Sequence, residues 1–109
     1  MRVHTKLGTG FKEIVYKDAL EIEFINNLIP YEREKEFSIQ YENNVLPHRF
    51  DADFFVFGSI ILEIKASVQL HIDSFKQTLN YLKASDIKLG ILINFGERKL
   101  NFKRIVCSY

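Results

Sequence analysis

The chain has 109 residues, of which 47% are hydrophobic and 27% charged, with a formal net charge of +1. That balance excludes a disordered chain and a strongly basic chain that binds nucleic acid through its bulk field, and the length predicts one domain. No apolar run approaches the ~18 residues of a membrane helix and no leader pattern opens the chain, so a cytoplasmic protein with no membrane partner is expected, its lone Cys107 a reduced, incidental thiol.

The predicted order is a helix, three strands, a helix and one or two further strands. The first helix is expected over residues 11–27, entered from the Gly8-Thr9-Gly10 loop, capped by Thr9 or Gly10, and ended by Asn26-Asn27 and Pro30. Phe11, Ile14, Val15, Ala19, Ile22 and Ile25 fall on one helical stripe, and Glu13, Tyr16, Leu20 and Phe24 on a second. A helix with two apolar stripes is expected to be buried on two sides, with Glu13 at the edge of a packed surface. Over residues 36–41, Phe37, Ile39 and Tyr41 alternate with Glu36, Ser38 and Gln40, which predicts a half-buried strand followed by a turn at Glu42-Asn43-Asn44.

Strands over 49–57 and 60–66 flank Gly58-Ser59 as a hairpin. A second helix is expected over 73–83, with Phe75, Leu79 and Leu82 as its apolar stripe. The run KLGILINF at 88–95 is almost continuously apolar and predicts a strand covered on both faces. Leu100 and Phe102, alternating with Lys99, Asn101 and Lys103, predict an edge strand protected by lysines. These elements make a compact α/β sandwich.

Chemistry concentrates in the hairpin. Alternation puts Asp51 and Asp53 on one face of their strand, and Glu63 and Lys65 on one face of the next, away from Ile60, Leu62, Ile64 and Ala66. Charge on so apolar a strand needs compensation, because burying it unpaired is costly. A plain two-residue turn at Gly58-Ser59 would set Asp53 opposite Ile64. A three-residue loop of Phe57, Gly58 and Ser59 instead pairs Val56 with Ile60 and Asp53 with Glu63. Opposed Cβ atoms lie about 4.5–5.5 Å apart, so two carboxylates there repel unless a divalent cation lies between them. Mg²⁺ or Mn²⁺ suits such oxygen ligands and would polarise a phosphate and a bound water, with Lys65 steadying that water or the developing charge. Taken alone, the D-x₉-E-x-K spacing is short and fits a surface salt bridge at least as well.

The remaining polar residues are less pointed. His4, His48 and His71 are scattered and offer no evident general base. His48 and Arg49 either approach a phosphate or form a solvated strand entry. Asp51 is a candidate secondary acid. Arg98, Lys99, Lys103 and Arg104 form either a modest basic patch or an ordinary solubilising edge.

Gly10-Phe11-Lys12-Glu13-Ile14-Val15-Tyr16 fits G-x-x-E-x-x-Y. Together with Ala52-Asp53, Glu63-Ile64-Lys65-Ala66, QTLNYLKA at 77–84, LGILINFG at 89–96 and KRIV at 103–106, it makes the chain resemble, along nearly its whole length, the GxxExxY proteins of the PD-(D/E)XK nuclease superfamily. The resemblance implies a restriction-endonuclease-like sandwich, a central mixed sheet flanked by helices with an α-β-β-β-α-β core, in agreement with the pattern reading. It implies a site in which Asp53 and Glu63 hold Mg²⁺ or Mn²⁺ while Lys65 and Glu13 assist the chemistry. Gln77 and Tyr81 fit the Q-x-x-x-Y motif of RecB-like nucleases. Four residues apart, they share a helix face and either contact phosphate and orient Lys65 or form a plain surface pair. The implied activity is hydrolysis of nucleic-acid phosphodiester bonds, with DNA the expected partner. The alternative is a non-catalytic nucleic-acid-binding or protein-interaction module on the same fold.

Two features depart from the family pattern. Ala52 stands where the superfamily's name has proline. The chain also opens at Met1-Arg2-Val3-His4, inside the helical segment that precedes the glycine loop in GxxExxY sequences. That implies either a missing N-terminal helical segment or a homodimer or protein partner covering the first helix.

Overall fold

Two helices, α1 (Arg2–Leu7) and α2 (Glu13–Asn26), precede a three-stranded meander of β1 (Tyr31–Tyr41), β2 (Asn44–Val56) and β3 (Ile60–Lys65). Helix α3 (Ile72–Ser85) then crosses to β4 (Leu89–Asn94), and β5 (Asn101–Val106) closes the order. The computed structural model describes residues 1–108. The strands form one sheet in the order β1-β2-β3-β4-β5. The β3–β4 pair is parallel and the other three pairs are antiparallel. A parallel pair needs a long crossover, and α3 supplies it.

The sheet separates two cores. On one face Val3 of α1 and Tyr16, Leu20 and Phe24 of α2 pack on Phe54, Val56, Leu62, Ile64, Ile93 and Phe95. On the other, Leu82 of α3 packs with Phe50, Ala52, Phe55, Ile61, Leu92 and Ile105. This is the expected α/β sandwich, and β4 is covered on both faces. Gly90 of β4 lies under α3, where a Cβ would meet Leu82 and Thr78 side-chain atoms at 3.2–3.4 Å. The missing side chain lets helix and strand approach closely.

Several local expectations change. Helix α2 begins at Glu13, with Lys12 as its N-cap and no side-chain cap, so neither Thr9 nor Gly10 has that role. Instead Gly8 and Gly10 take φ of 69° and 101°, and the Tyr16 hydroxyl pins the loop by donating to the Gly8 carbonyl (2.7 Å) and accepting from Phe11 N–H (3.3 Å). The helix is buried on one side only. Phe11, Ile14, Ile22 and Ile25 are exposed, because no described element packs on that stripe. Glu13 is exposed.

The α3 stripe is Thr78 and Leu82, with Leu79 and Tyr81 beside it, while Phe75 is exposed. Strands β1 and β2 each start five residues earlier than the alternation suggests. Glu32, Arg33, Glu34 and Lys35 carry no apolar alternation to announce the start of β1. In β5, Phe102 faces solvent and Ile105 is the buried residue.

Candidate active site

The hairpin register sets the site. Val56 pairs with Ile60, Phe55 with Ile61 and Phe54 with Leu62 across a loop of Phe57, Gly58 and Ser59. This is the three-residue loop that brings Asp53 level with Glu63. Phe57 and Gly58 both adopt positive φ, 56° and 63°, to make the turn.

The ladder stops at Phe54–Leu62, and carboxylates take over its donors. Ile64 N–H donates to Asp53 Oδ2 at 2.7 Å, and Asp53 N–H donates to Glu63 Oε2 at 3.3 Å. Side-chain oxygens thus replace backbone carbonyls at the point where β2 and β3 part. The facing of β2 changes at the same point. Phe50 and Ala52 pack in the α3 core, but Phe54 and Val56 pack in the α2 core. Simple alternation along β2 therefore slips between Ala52 and Phe54, and Asp51 is an exposed residue with no hydrogen-bond or ion-pair partner among the described residues.

Glu63 is only 7% exposed, and its Oε1 has no hydrogen-bond partner among the described residues. Burial first, and the neighbouring Asp53 carboxylate second, push its pKa up to about 9, against smaller opposing help from the Asp53 N–H and the Lys65 charge. A buried acid with an orphaned oxygen is a costly arrangement. It fits a divalent cation well, since a cation would satisfy the orphaned oxygen and reverse the carboxylate repulsion. No group of three or more His, Cys, Asp or Glu side chains converges on a metal position among the described residues. The protein donors would then be Asp53 and Glu63, with water completing the shell, as Mg²⁺ prefers.

Lys65 is half-buried on β3, and its ammonium makes no ion pair among the described residues. Tyr81 stacks flat on Phe50, with ring centroids 4.0 Å apart at 6°. Burial and the charges of Glu63, Asp53 and Asp51 raise its phenol pKa, which places the ring within electrostatic reach of the carboxylates. Gln77 lies one turn earlier on α3, exposed and without a bonded partner among the described residues. Glu13 stands in the first turn of α2, likewise exposed and unbonded. A carboxylate suits the positive end of the helix there.

Three neighbours were not singled out from the sequence. Lys17, one turn after Glu13, donates to Asp53 Oδ1 at 3.1 Å and pairs with Glu34. Burial alone would lower its pKa, but the bonds to Glu34 and Asp53 raise it overall. Glu34 holds φ of 53° inside β1, a strained position for a non-glycine residue. Asn94 is fully buried on β4, level with Lys65. Its carboxamide accepts from Ser67 N–H (3.0 Å) and Gly96 N–H (3.1 Å) and donates to the Ser67 carbonyl (2.8 Å) and Glu97 (2.7 Å). That network fixes the chain just beyond Lys65. Spacing could have flagged Lys17, four residues from Glu13 on one helix face. Asn94 announces itself as the one polar residue inside LGILINF.

The histidines are engaged elsewhere or solvated. His4 Nε2 bonds the Glu97 carbonyl at 2.8 Å, His71 caps α3 by accepting from Asp73 N–H at 3.0 Å, and His48 is exposed. Arg98, Lys99, Lys103 and Arg104 are all exposed. Lys103 and Arg104 point to opposite faces of β5, so the four do not form one patch. Lys103 lines an open groove with Gln69, Leu70, His71 and Phe75.

A family model described as the PD-(D/E)XK nuclease superfamily matches residues 1–105. Among solved structures, the crystal structure of SSO0001 is similar, with a TM-score of 0.69 and 24% identity over 87% of this chain and 50% of that one. The chain thus spans about half the length of that protein, and the likeness is one of fold. No curated protein matches the chain.

Proposed function

This chain belongs to the PD-(D/E)XK nuclease superfamily, and from that premise we propose that it is a divalent-metal-dependent nuclease of the GxxExxY type, hydrolysing phosphodiester bonds in DNA. The observation that carries the reading is Glu63: buried, with Oε1 unpartnered, beside Asp53 where the strand ladder breaks. Nucleases of this superfamily generally use divalent metals. On this chain Asp53 and Glu63 would hold Mg²⁺ or Mn²⁺, and the bound ion would supply Lewis-acid polarisation of the scissile phosphate and of water.

The other residues divide the remaining tasks. Lys65, on the strand that carries Glu63 and without an ion-pair partner among the described residues, would stabilise charge developing on the phosphate. Glu13 orients water from the start of α2. The Tyr81 hydroxyl and the Gln77 amide, on one face of α3, hold phosphate oxygens or steady Lys65. Exposed Lys103 offers a further phosphate contact in its groove.

The test is cleavage of single- and double-stranded DNA and RNA with Mg²⁺ or Mn²⁺. The wild type is expected to cut DNA, with Asp53→Ala and Lys65→Ala each losing roughly 10²–10³-fold, the scale of a lost electrostatic stabiliser. Cleavage surviving both substitutions would place the activity elsewhere. One observation favours a second reading. Lys17 already neutralises Asp53 without any metal, as in a retired site on a binding module. Tight nucleic-acid binding with no cleavage on any substrate would support that reading.

A further inference from the structure

We propose that Lys17 is a positioning residue that acts as a built-in monovalent counter-ion at Asp53, competing with the divalent cation for that carboxylate. The inference rests on the metal reading of the site and adds a control on how tightly the metal is held.

Both oxygens of Asp53 are already engaged. Oδ2 is fixed by Ile64 N–H at 2.7 Å and Oδ1 by Lys17 Nζ at 3.1 Å. Only the second bond carries a full charge. The Lys17 side chain is 13% exposed, so its charge is screened far less than that of a surface lysine. It is held from behind by Glu34, which sits in a left-handed kink of β1. Strain at a non-glycine residue persists where the surroundings impose it, and here it turns the Glu34 carboxylate toward Lys17.

The ammonium therefore has two anions, while Glu63, bonded to the Asp53 N–H, has an oxygen with no hydrogen-bond partner among the described residues. Asp53 is satisfied without metal, and Glu63 is not. An added cation would gain the unpartnered Glu63 oxygen but must share Asp53 with a fixed positive charge. Like charges a few ångströms apart in a partly buried site repel strongly, so Lys17 lowers metal affinity even as it aims the carboxylate.

The measurement is Mn²⁺ binding to the full chain, read from the loss of the free-ion electron paramagnetic resonance signal, with folding checked by circular dichroism. Lys17→Met is expected to bind Mn²⁺ more tightly than wild type, by about tenfold or more. Lys17→Arg keeps the charge and should match wild type. Glu34→Gln removes an anion and leaves Lys17 wholly on Asp53, so it should bind more weakly. If Lys17→Met does not fold, Lys17→Gln takes its place with the same expectation. A merely structural lysine gives weaker or unchanged binding in Met and Gln alike, and that result overturns the proposal. Absence of binding in wild type and variants alike refutes the metal reading itself, and this inference with it.

Discussion

At the turn end of the β2–β3 hairpin, Val56, Phe55 and Phe54 pair in register with Ile60, Ile61 and Leu62, and all six are apolar. One residue further along, the same two strands trade backbone bonds for carboxylates, and one oxygen is left over. The first end is fully satisfied and locked between helices on both faces. The second is held in place by the first, and stays incompletely satisfied. The apolar ladder fixes the register, and the register forces Asp53 and Glu63 together. The cost of that encounter is met elsewhere in the fold.

Substitutions can break the contrast from either side. The largest effect is expected at the closed end. Phe54 is fully buried and packs edge-on to Phe24 and Tyr31 under Arg33. Phe54→Ala should cost about 3–5 kcal/mol in urea unfolding. Asn94→Leu should come next, at roughly 2–3 kcal/mol, because it strands the Ser67 and Gly96 backbone groups and Glu97. A loss in that variant confined to stability, with metal binding intact, would separate the brace beyond Lys65 from the site.

A pH-dependent effect belongs to the open end. Burial and Asp53 raise Glu63 from 4.5 to about 9. Between those values the folded chain keeps a proton that the unfolded chain has released. Stability from this group is therefore fully present below about pH 4.5 and is lost as pH rises toward about 9. The slope has an upper limit of about 1.4 kcal/mol per pH unit. Glu63→Gln should unfold with a flatter profile over pH 5 to 8 than wild type, to within about that limit. Equal slopes would show that Glu63 is already ionised in the folded state.

The smallest effect is at Tyr81, whose ring stack on Phe50 survives in Tyr81→Phe and whose hydroxyl bonds no described residue. Stability should shift by less than about 0.5 kcal/mol. Any change in nucleic-acid binding or cleavage by that variant would then report the hydroxyl alone.

Much of this was readable in the residues. Apart from the short helix α1, which no periodicity marked, the order of the helices and strands followed from periodicity, and the three-residue loop followed from asking which register lets Asp53 meet Glu63. Periodicity could not say which stripe of α2 is covered. Both Ile14-Ile22-Ile25 and Tyr16-Leu20-Phe24 have helical spacing, and only the sheet's position distinguishes them. Nor could it locate Lys17 and Glu34. Their contact joins α2 to β1 through a kink that no sequence pattern marks. Gly10 and Tyr16 looked like part of a functional motif, yet their observed task is mechanical: Tyr16 ties down the loop that leads into Glu13.

If the open end binds a divalent cation as proposed, Glu63 holds a proton until that ion arrives. Calorimetric titration of Mn²⁺ at pH 7, in buffers of different ionisation heat, measures the protons released on binding. Wild type is expected to release about one proton and Glu63→Gln none, since a carboxyl must ionise to become a ligand. Binding without proton release, or the same release from Glu63→Gln, would contradict it.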